Sequence, residues 1–251
     1  MANVLIRKIQ NSVAKSRHAG INRSDDWGGR RVAGLNPKSV LDVGCGDGSR
    51  LIPYFKNLPS DFCGIEGAPE LMQRAKERGL TVKDCDLNGR WPWESGRFDV
   101  VFSNQVIEHV HNCRMFAAEA YRVLKPGGTA IITSENLCSL LNCAALIMGY
   151  TPFSLMQTCG RYLGNPLGLH YNETLSEPLP LDHPAFSGVS GHIRILTVRQ
   201  ARELFELVGF RSVKTGSISI LPLPDQLSQW LEKFVANRGH YLQIEAVKPR
   251  E

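Results

Sequence analysis

Short apolar runs alternate with segments of helical periodicity from residue 38 to the end of the chain. The runs predict strands at 39–43, 61–66, 80–85, 98–103 and 128–134, and two closing strands at 211–220 and 241–248. Between the first five strands, apolar residues recur at helical spacing over 49–57, 69–78 and 113–124. Strands that alternate with helices form parallel sheets covered on both faces. The pattern therefore predicts an α/β fold built on a doubly wound sheet.

The segments outside this alternation divide the chain. Residues 1–20 predict a basic amphipathic helix, and five prolines between 137 and 190 interrupt the pattern. Thr197 and Gln200 have the spacing of a capping box and predict the start of a late helix. We expect a single domain over 1–251. Its parts are an N-terminal helical cap (1–37), a cofactor-binding core (38–136), an insert or lid for the acceptor (137–196), and a C-terminal core helix with the closing strands (197–251).

Composition narrows the class of protein. The 251 residues are 43% hydrophobic and 21% charged with a net charge of +5, and no block of basic residues indicates a nucleic-acid partner. The seven cysteines contain no C-x-x-C pair, which predicts reduced thiols and a cytoplasmic protein without a signal peptide. The most apolar stretch, residues 137–150, is shorter than the about 20 residues that a membrane span needs. The longer run 137–156 fits an acceptor pocket, a peripheral membrane or lipid contact, or a helix packed on the core.

The glycine-rich run Val40–Gly48 carries the strongest chemical signal. Such a turn after a strand lets backbone approach a nucleoside cofactor. A dinucleotide site favours a third glycine three residues after Gly46, and this chain has Ser49 there. Asp42 and Asp47 would oppose a pyrophosphate, whereas carboxylates suit a zwitterionic or cationic ligand. The spacing therefore favours S-adenosylmethionine.

With these features, residues 38–136 resemble class I S-adenosylmethionine-dependent methyltransferases, in the broad subgroup called type 11. The resemblance rests on the glycine loop, Glu66, Asp86-Leu87, the run 98–105 and the Lys125-Pro126-Gly127-Gly128 turn. It implies a Rossmann-like, seven-stranded, mostly parallel sheet with helices on both faces and an antiparallel last strand.

The resemblance also implies the residues that bind the cofactor. Asp42 and the glycine loop would hold its methionine half, Glu66 its ribose hydroxyls and Asp86 its adenine amine. The whole predicted cofactor set is Asp42, Gly44, Cys45, Gly46, Glu66, Gly67, Asp86, Leu87, Ser103, Asn104 and Gln105.

Histidines near the predicted methyl position are the candidate catalytic residues. A hydroxyl acceptor must lose its proton, and histidine is the usual base at neutral pH. His109 follows the fourth strand tip, and His192 precedes the late helix. Arg194, His170 and Tyr171 are candidate substrate-binding residues. Some quinone O-methyltransferases of the family hold a divalent metal with a carboxylate where this chain has Gln105, so we expect no metal.

These features predict methyl transfer from S-adenosylmethionine to a small-molecule acceptor. An oxygen on a sugar, a lipid-linked intermediate or an aromatic ring is the preferred target. An RNA or protein methyltransferase and a non-catalytic regulatory protein that binds the cofactor are the alternatives. The sequence leaves the acceptor and the oligomeric state open.

Overall fold

Seven strands form one mixed sheet in the computed structural model, which describes residues 2–155, 164–165 and 191–250, with side chains from residue 11 onward. Their order across the sheet is β3-β2-β1-β4-β5-β7-β6. β7 is antiparallel to β5 and β6, and the other neighbouring strands are parallel. The strands are β1 (Ser39–Val43), β2 (Asp61–Ile65), β3 (Thr81–Lys83), β4 (Phe98–Asn104), β5 (Leu124–Glu135), β6 (Arg211–Ile218) and β7 (Tyr241–Val247). The predicted sheet, including its antiparallel last strand, is confirmed.

In the described part of the chain, six helices and two short 3-10 turns precede the first strand or lie between strands. The helices are α1 (Ala2–Gly34), α2 (Pro69–Glu77), α3 (Cys113–Val123), α4 (Leu140–Ile147), α5 (Val198–Leu207) and α6 (Asp225–Glu232), and the 3-10 turns are Ile52–Tyr54 and Ile107–His109. In the part of the chain that the structure describes, none of the helices has both the length and the apolar character of a membrane span.

Two helix predictions differ from the structure, and one helix was not predicted. The predicted helix over 49–57 is wrong, because Pro53 lacks the N–H that an α-helix needs there and only a 3-10 turn forms. The N-terminal helix runs on to Gly34, past the predicted end at residue 20. Gly28 allows this extension to lie against β4, since a Cβ there would lie 2.8 Å from the Phe102 ring. Helix α6 was not predicted.

The sheet carries an apolar core on each face. Successive strand residues point to opposite faces, so Leu41 and Val101 belong to one core and Val40 and Val100 to the other. Helices α3 and α5 cover the first face. The Thr197 side chain accepts a hydrogen bond from the Gln200 N–H and caps α5, as its spacing predicts. The six cysteines in the described part of the chain form no disulfide.

The strand order reverses between β1 and β4. In doubly wound sheets, a crevice opens at such a point beyond the carboxyl ends of the strands. The glycine-rich loop after β1 and the segment after β4 therefore lie at the position where this fold binds ligands.

Candidate functional site

The glycine-rich loop turns sharply as it leaves β1. Gly44, Gly46 and Gly48 have φ values of +73°, +55° and +80°, in the left-handed region that favours glycine. A Cβ on Gly44 would lie 2.4 Å from the Val106 side chain, whereas a Cβ on Gly46 would have no atom within 4 Å. Gly44 is thus required for packing, and Gly46 presents bare backbone to open space that a ligand can fill.

Replacing Gly44 with alanine should disrupt this loop. The substitution combines a left-handed backbone with a collision against Val106, each costing about 1–3 kcal/mol. We expect thermal unfolding to shift down by several degrees and binding of a nucleoside ligand to weaken by at least about 10-fold. Gly216→Ala is the matched control, because its Cβ has no neighbour within 4 Å. Equal melting temperatures and affinities for the two variants would contradict this role of Gly44.

The Glu66 carboxylate fixes the loop to the end of β2. One carboxylate oxygen accepts a hydrogen bond from the Gly46 N–H at 2.8 Å, and the other accepts one from the Ala68 N–H at 2.9 Å. A carboxylate has about four acceptor positions, so two remain for a ligand.

Glu66 also lines a cavity of about 660 Å³ at the strand reversal. This cofactor cavity includes five predicted cofactor residues, namely Gly44, Glu66, Gly67, Asp86 and Leu87, and the predicted catalytic residue His109. The structure therefore brings together residues that follow the ends of β1, β2, β3 and β4.

Asp42, near the end of β1, and Cys45, in the glycine-rich loop, are both buried acidic groups with raised pKa values. Burial, with a contribution from the nearby Glu66, raises the pKa of Asp42 to about 8. Burial also raises the pKa of the Cys45 thiol well above its usual range. Because both groups are uncharged at pH 7, a cation in the cavity would favour ionisation of Asp42.

Asp86 stands at the exposed side of the cavity. Its carboxylate accepts hydrogen bonds from the backbone N–H of Asn88 at 2.9 Å and from the Asn88 amide at 2.8 Å, and these bonds lower its pKa. The Asn88 oxygen in turn accepts from the backbone N–H groups of His111 and Asn112. Asp86 is therefore an ionised acceptor held in place beside Leu87.

Ser103 and Asn104 are used within the fold and do not line the cofactor cavity. The Ser103 hydroxyl donates to the Val43 carbonyl at 3.0 Å and ties β4 to β1. The Asn104 amide donates to Asp25 of α1 at 2.8 Å and accepts from Thr133. Their side chains hold the strand end, so their predicted contact with a cofactor has no support in this geometry. Gln105 turns the chain with a left-handed φ of 56°.

His109 and His192 meet although they lie 83 positions apart in the sequence. Their ring centroids lie 4.7 Å apart in an edge-to-face arrangement. The loop that carries His192 is docked on the turn that carries His109, because the Ile193 and Arg194 N–H groups donate to the Glu108 carbonyl at 2.7 and 3.1 Å. The structure thus places both predicted catalytic histidines in one pair.

Each histidine of the pair contacts a backbone carbonyl through Nδ1. His109 Nδ1 lies 3.1 Å from the Gly191 oxygen, and His192 Nδ1 lies 2.6 Å from the Ser154 oxygen. A carbonyl oxygen only accepts, so Nδ1 carries the hydrogen in both rings and Nε2 carries the lone pair of the neutral imidazole. This is the tautomer that lets Nε2 accept a proton.

Two buried carboxyl groups lie next to the histidine pair. The Glu108 side chain accepts from the Ser134 hydroxyl at 2.8 Å, and burial raises its pKa to about 8. The Glu135 carboxylate lies 3.9 Å from His192 Nδ1 and 3.6 Å from His240 Nε2. Glu108 and Glu135 were not predicted as site residues, because neither forms a motif with the two histidines along the chain.

Glu108, His109 and His192 also offer three metal-ligand atoms within 4.8 Å of one another. No metal is expected from the sequence because Gln105 stands where some relatives have a carboxylate, and no sequence spacing indicates that His192 joins this group. The expected absence of a metal stays a prediction.

A second cavity, of about 700 Å³, adjoins the same stretch of chain, since His109 and Val110 line the cofactor cavity and His111 and Asn112 line this one. Arg194, the predicted substrate-binding residue, lines the second cavity, and its guanidinium donates to the His111 carbonyl at 2.6 Å. The apolar part of its lining includes Leu137, Leu155, Ile193, Leu196 and Leu204. Ile193, which directly follows His192, thus lines the second cavity, whereas His109 lines the cofactor cavity. His170 and Tyr171 fall outside the residues that the structure describes.

A family comparison agrees with this site. Residues 41–132 match the model of the family described as "Methyltransferase domain". This range contains the glycine loop, Glu66, Asp86 and His109.

The chain is also similar to known proteins. It is 32% identical over 115 residues to the mitochondrial ubiquinone biosynthesis O-methyltransferase of Rattus norvegicus, covering 42% of this chain and 33% of that protein. It is 35% identical over 117 residues to the 2-methyl-6-phytyl-1,4-hydroquinone methyltransferase of Synechocystis, covering 44% and 36%. The chain spans about a third of the length of these relatives.

Solved structures share the fold. An S-adenosylmethionine-dependent methyltransferase from Mesorhizobium loti superposes with a TM-score of 0.53 at 18% identity, covering 84% of this chain and 90% of that one. A Thermotoga maritima protein, described as a possible histamine N-methyltransferase, has a TM-score of 0.53 at 16% identity, with coverage of 84% and 81%. At these identities the likeness shows the fold alone.

Proposed function

We propose that this chain, which carries a class I S-adenosylmethionine-dependent methyltransferase domain, transfers a methyl group to a hydroxyl oxygen of a small molecule with an apolar part. The observations that carry the proposal are that His109 lines the cofactor cavity, that its ring contacts His192, and that the next residue, Ile193, lines the largely apolar second cavity, which we call the acceptor cavity. The Rattus and Synechocystis relatives are named for ubiquinone biosynthesis and for a phytyl hydroquinone. Those names support an acceptor that joins an aromatic hydroxyl to an apolar chain.

The cofactor of this domain is S-adenosylmethionine, and the cavity fits it. The Gly46 backbone faces open space with no atom within 4 Å of its missing Cβ, and Glu66 keeps two acceptor positions for a vicinal diol. Asp86, ionised and exposed, suits an exocyclic amine, and the apolar Leu87 and Val106 line the cavity beside it. When bound, the cofactor supplies an electrophilic methyl group on a sulfonium.

The chain's own residues then position the acceptor and take its proton. Arg194 and the apolar lining would hold the acceptor, so that its oxygen lies within about 3 Å of the methyl group. His109 lines the cofactor cavity, and its Nε2 would take the hydroxyl proton as the oxygen–carbon bond forms. His192 packs on the His109 ring and would orient it.

Cofactor binding should release a proton at pH 7. Asp42 is neutral there because its pKa is about 8, and a bound cation favours the carboxylate and lowers that pKa. Affinity should therefore rise with pH up to about 8 and then level off. Calorimetry at pH 7 in buffers of different ionisation enthalpy measures the released proton.

Asp42→Asn is the control for this prediction, because the amide fills the same space and cannot ionise. The variant should release fewer protons than the wild-type chain, with a difference of up to about one proton per site. Equal proton release by both proteins would show that Asp42 does not ionise on binding.

Methyl transfer itself can be tested with S-adenosylmethionine labelled on its methyl group. The protein is incubated with a panel of hydroquinones and catechols that carry alkyl chains of increasing length. We expect the label in an aryl methyl ether, with turnover rising as the chain lengthens. Label only on nitrogen or carbon, or no labelled product from any phenol, would overturn the proposed acceptor.

A further inference from the structure

Two neighbouring elements expose large apolar side chains. The end of α4 and the residues after it expose Leu146, Ile147, Met148 and Tyr150, with Ile147 87% accessible. Helix α6 and the residues after it expose Leu227, Trp230 and Phe234, with Phe234 69% accessible. Leu227 and Trp230 lie three positions apart and so share one side of α6, and Phe234 lies in the turn after the helix. The Trp230 and Phe234 rings contact each other at a centroid distance of 5.1 Å.

Hydrogen bonds link the start of α4 to the segment after α6, and an apolar contact and a further hydrogen bond link both elements to α1. The Leu140 N–H donates to the Arg238 carbonyl at 3.0 Å, and the Arg238 guanidinium donates to the Cys138 carbonyl at 3.3 Å. On α1, Val13 packs with Ala145 of α4 in one apolar cluster. The Ser16 hydroxyl donates to the carbonyl of Leu223, just before α6. The first half of α1 therefore contacts both exposed apolar elements.

The charges around these elements are basic. Residues 1–24 contain no acidic residue and five basic ones, namely Arg7, Lys8, Lys15, Arg17 and Arg23. The run from 136 to 160 has no charged residue at all. The two carboxylates of α6, Asp225 and Glu232, are both paired with Arg23 at 3.1 and 2.9 Å. Lys233 and Arg238 are exposed next to the apolar side chains.

We infer that this apolar face, formed by the exposed side chains of α4, α6 and the residues after each, beside Lys15 of α1, Lys233 and Arg238, docks on a lipid bilayer that contains anionic lipid. Exposed tryptophan and aliphatic side chains enter the boundary between headgroups and acyl chains. Lysine and arginine beside them interact with anionic headgroups. The combination of apolar and basic side chains is the complement of such a surface.

The proposed function gives this contact a purpose, and the inference rests on it to that extent. Leu137 and Leu155, at the two ends of the segment that contains α4, line the acceptor cavity. An acceptor with a long apolar chain partitions into bilayers, so a face that docks there would place the cavity next to its substrate supply.

Flotation with lipid vesicles tests the inference without cofactor or acceptor. We expect the full chain to float with vesicles of phosphatidylcholine and phosphatidylglycerol in equal parts, and to bind phosphatidylcholine alone at least about 10-fold more weakly. Tryptophan emission should shift to shorter wavelength on binding, because Trp230 leaves water while Trp91 and Trp93 are already buried.

The double variant Trp230→Ala, Phe234→Ala should lose at least about 10-fold in vesicle affinity, because two apolar anchors are removed. Leu207→Ala is the matched control: Leu207 is 68% accessible on α5 and carries no part of the face, so vesicle binding should persist. Binding of S-adenosylmethionine by the double variant verifies that it remains folded.

Three outcomes would overturn the inference: no flotation of the wild-type chain, flotation that the double variant retains, or a dimer seen by light scattering that the double variant loses. The last would assign the face to a second copy of the chain. Failure of methyl transfer with intact, Trp230-dependent flotation would overturn the proposed function and leave the docking face standing.

Discussion

Glu66→Ala should lower the affinity for S-adenosylmethionine by about 100-fold or more. The carboxylate has two acceptor positions left for the ribose hydroxyls, and a hydrogen bond to a charged group contributes about 1.5–3 kcal/mol. Losing two such bonds costs about 3–6 kcal/mol, or about two to four powers of ten in the dissociation constant. The variant also frees the Gly46 N–H and so loosens the loop.

Calorimetry on Glu66→Ala and on Glu70→Ala separates binding from a general charge effect. Glu70 lies in the first turn of α2, is exposed, and does not line the cofactor cavity. Its replacement with alanine removes the same charge as Glu66→Ala. We expect the Glu70 variant to bind like the wild-type chain. A loss below about 3-fold for Glu66→Ala would mean that this carboxylate does not hold the ribose.

His109→Ala should lower turnover by about 100-fold or more while cofactor affinity stays within a few-fold, because a positioned general base typically contributes 10²–10⁴-fold. The prediction is measured as single-turnover methyl transfer beside a cofactor titration. His18→Ala, an exposed histidine on α1, is the control and should leave both unchanged.

A second substitution distinguishes the base from a structural role for His109. His109→Asn keeps a side-chain N–H that can donate to the Gly191 carbonyl and hold the loop that carries His192. It has no nitrogen that accepts a proton, so its turnover should fall as far as that of His109→Ala. Recovery of turnover in the asparagine variant would show that His109 only holds the loop.

Much of the fold could be predicted because local patterns decide it. Every strand lies within a few residues of its predicted range, since buried parallel strands are short apolar runs between turn residues. The helix over 49–57 was predicted wrongly although Pro53 is a local signal against it. The other errors occur where tertiary contacts decide: Gly28 lets α1 continue past residue 20 against Phe102, and α6 is a short helix that packs through Ser228 and its pairing with Arg23.

The site was predictable only where its residues follow strands in order. Glu66 and Asp86 line the cofactor cavity because strand ends converge at one edge. Ser103 and Asn104 also lie at a strand end. Their side chains, however, donate hydrogen bonds to the Val43 carbonyl and the Asp25 carboxylate and do not line the cavity. The approach of His192 to His109 depends on the hydrogen bonds of Ile193 and Arg194 to Glu108, which no spacing along the sequence encodes.

Calorimetric titration of the protein with S-adenosylmethionine and, separately, with NAD tests the central claim most directly. The claim is that the glycine loop, Glu66 and Asp86 form a site for the cofactor of methyl transfer and not for a dinucleotide. We expect saturable one-site binding of S-adenosylmethionine that Glu66→Ala abolishes, and no detectable binding of NAD. Saturable binding of NAD together with no binding of S-adenosylmethionine would contradict the account.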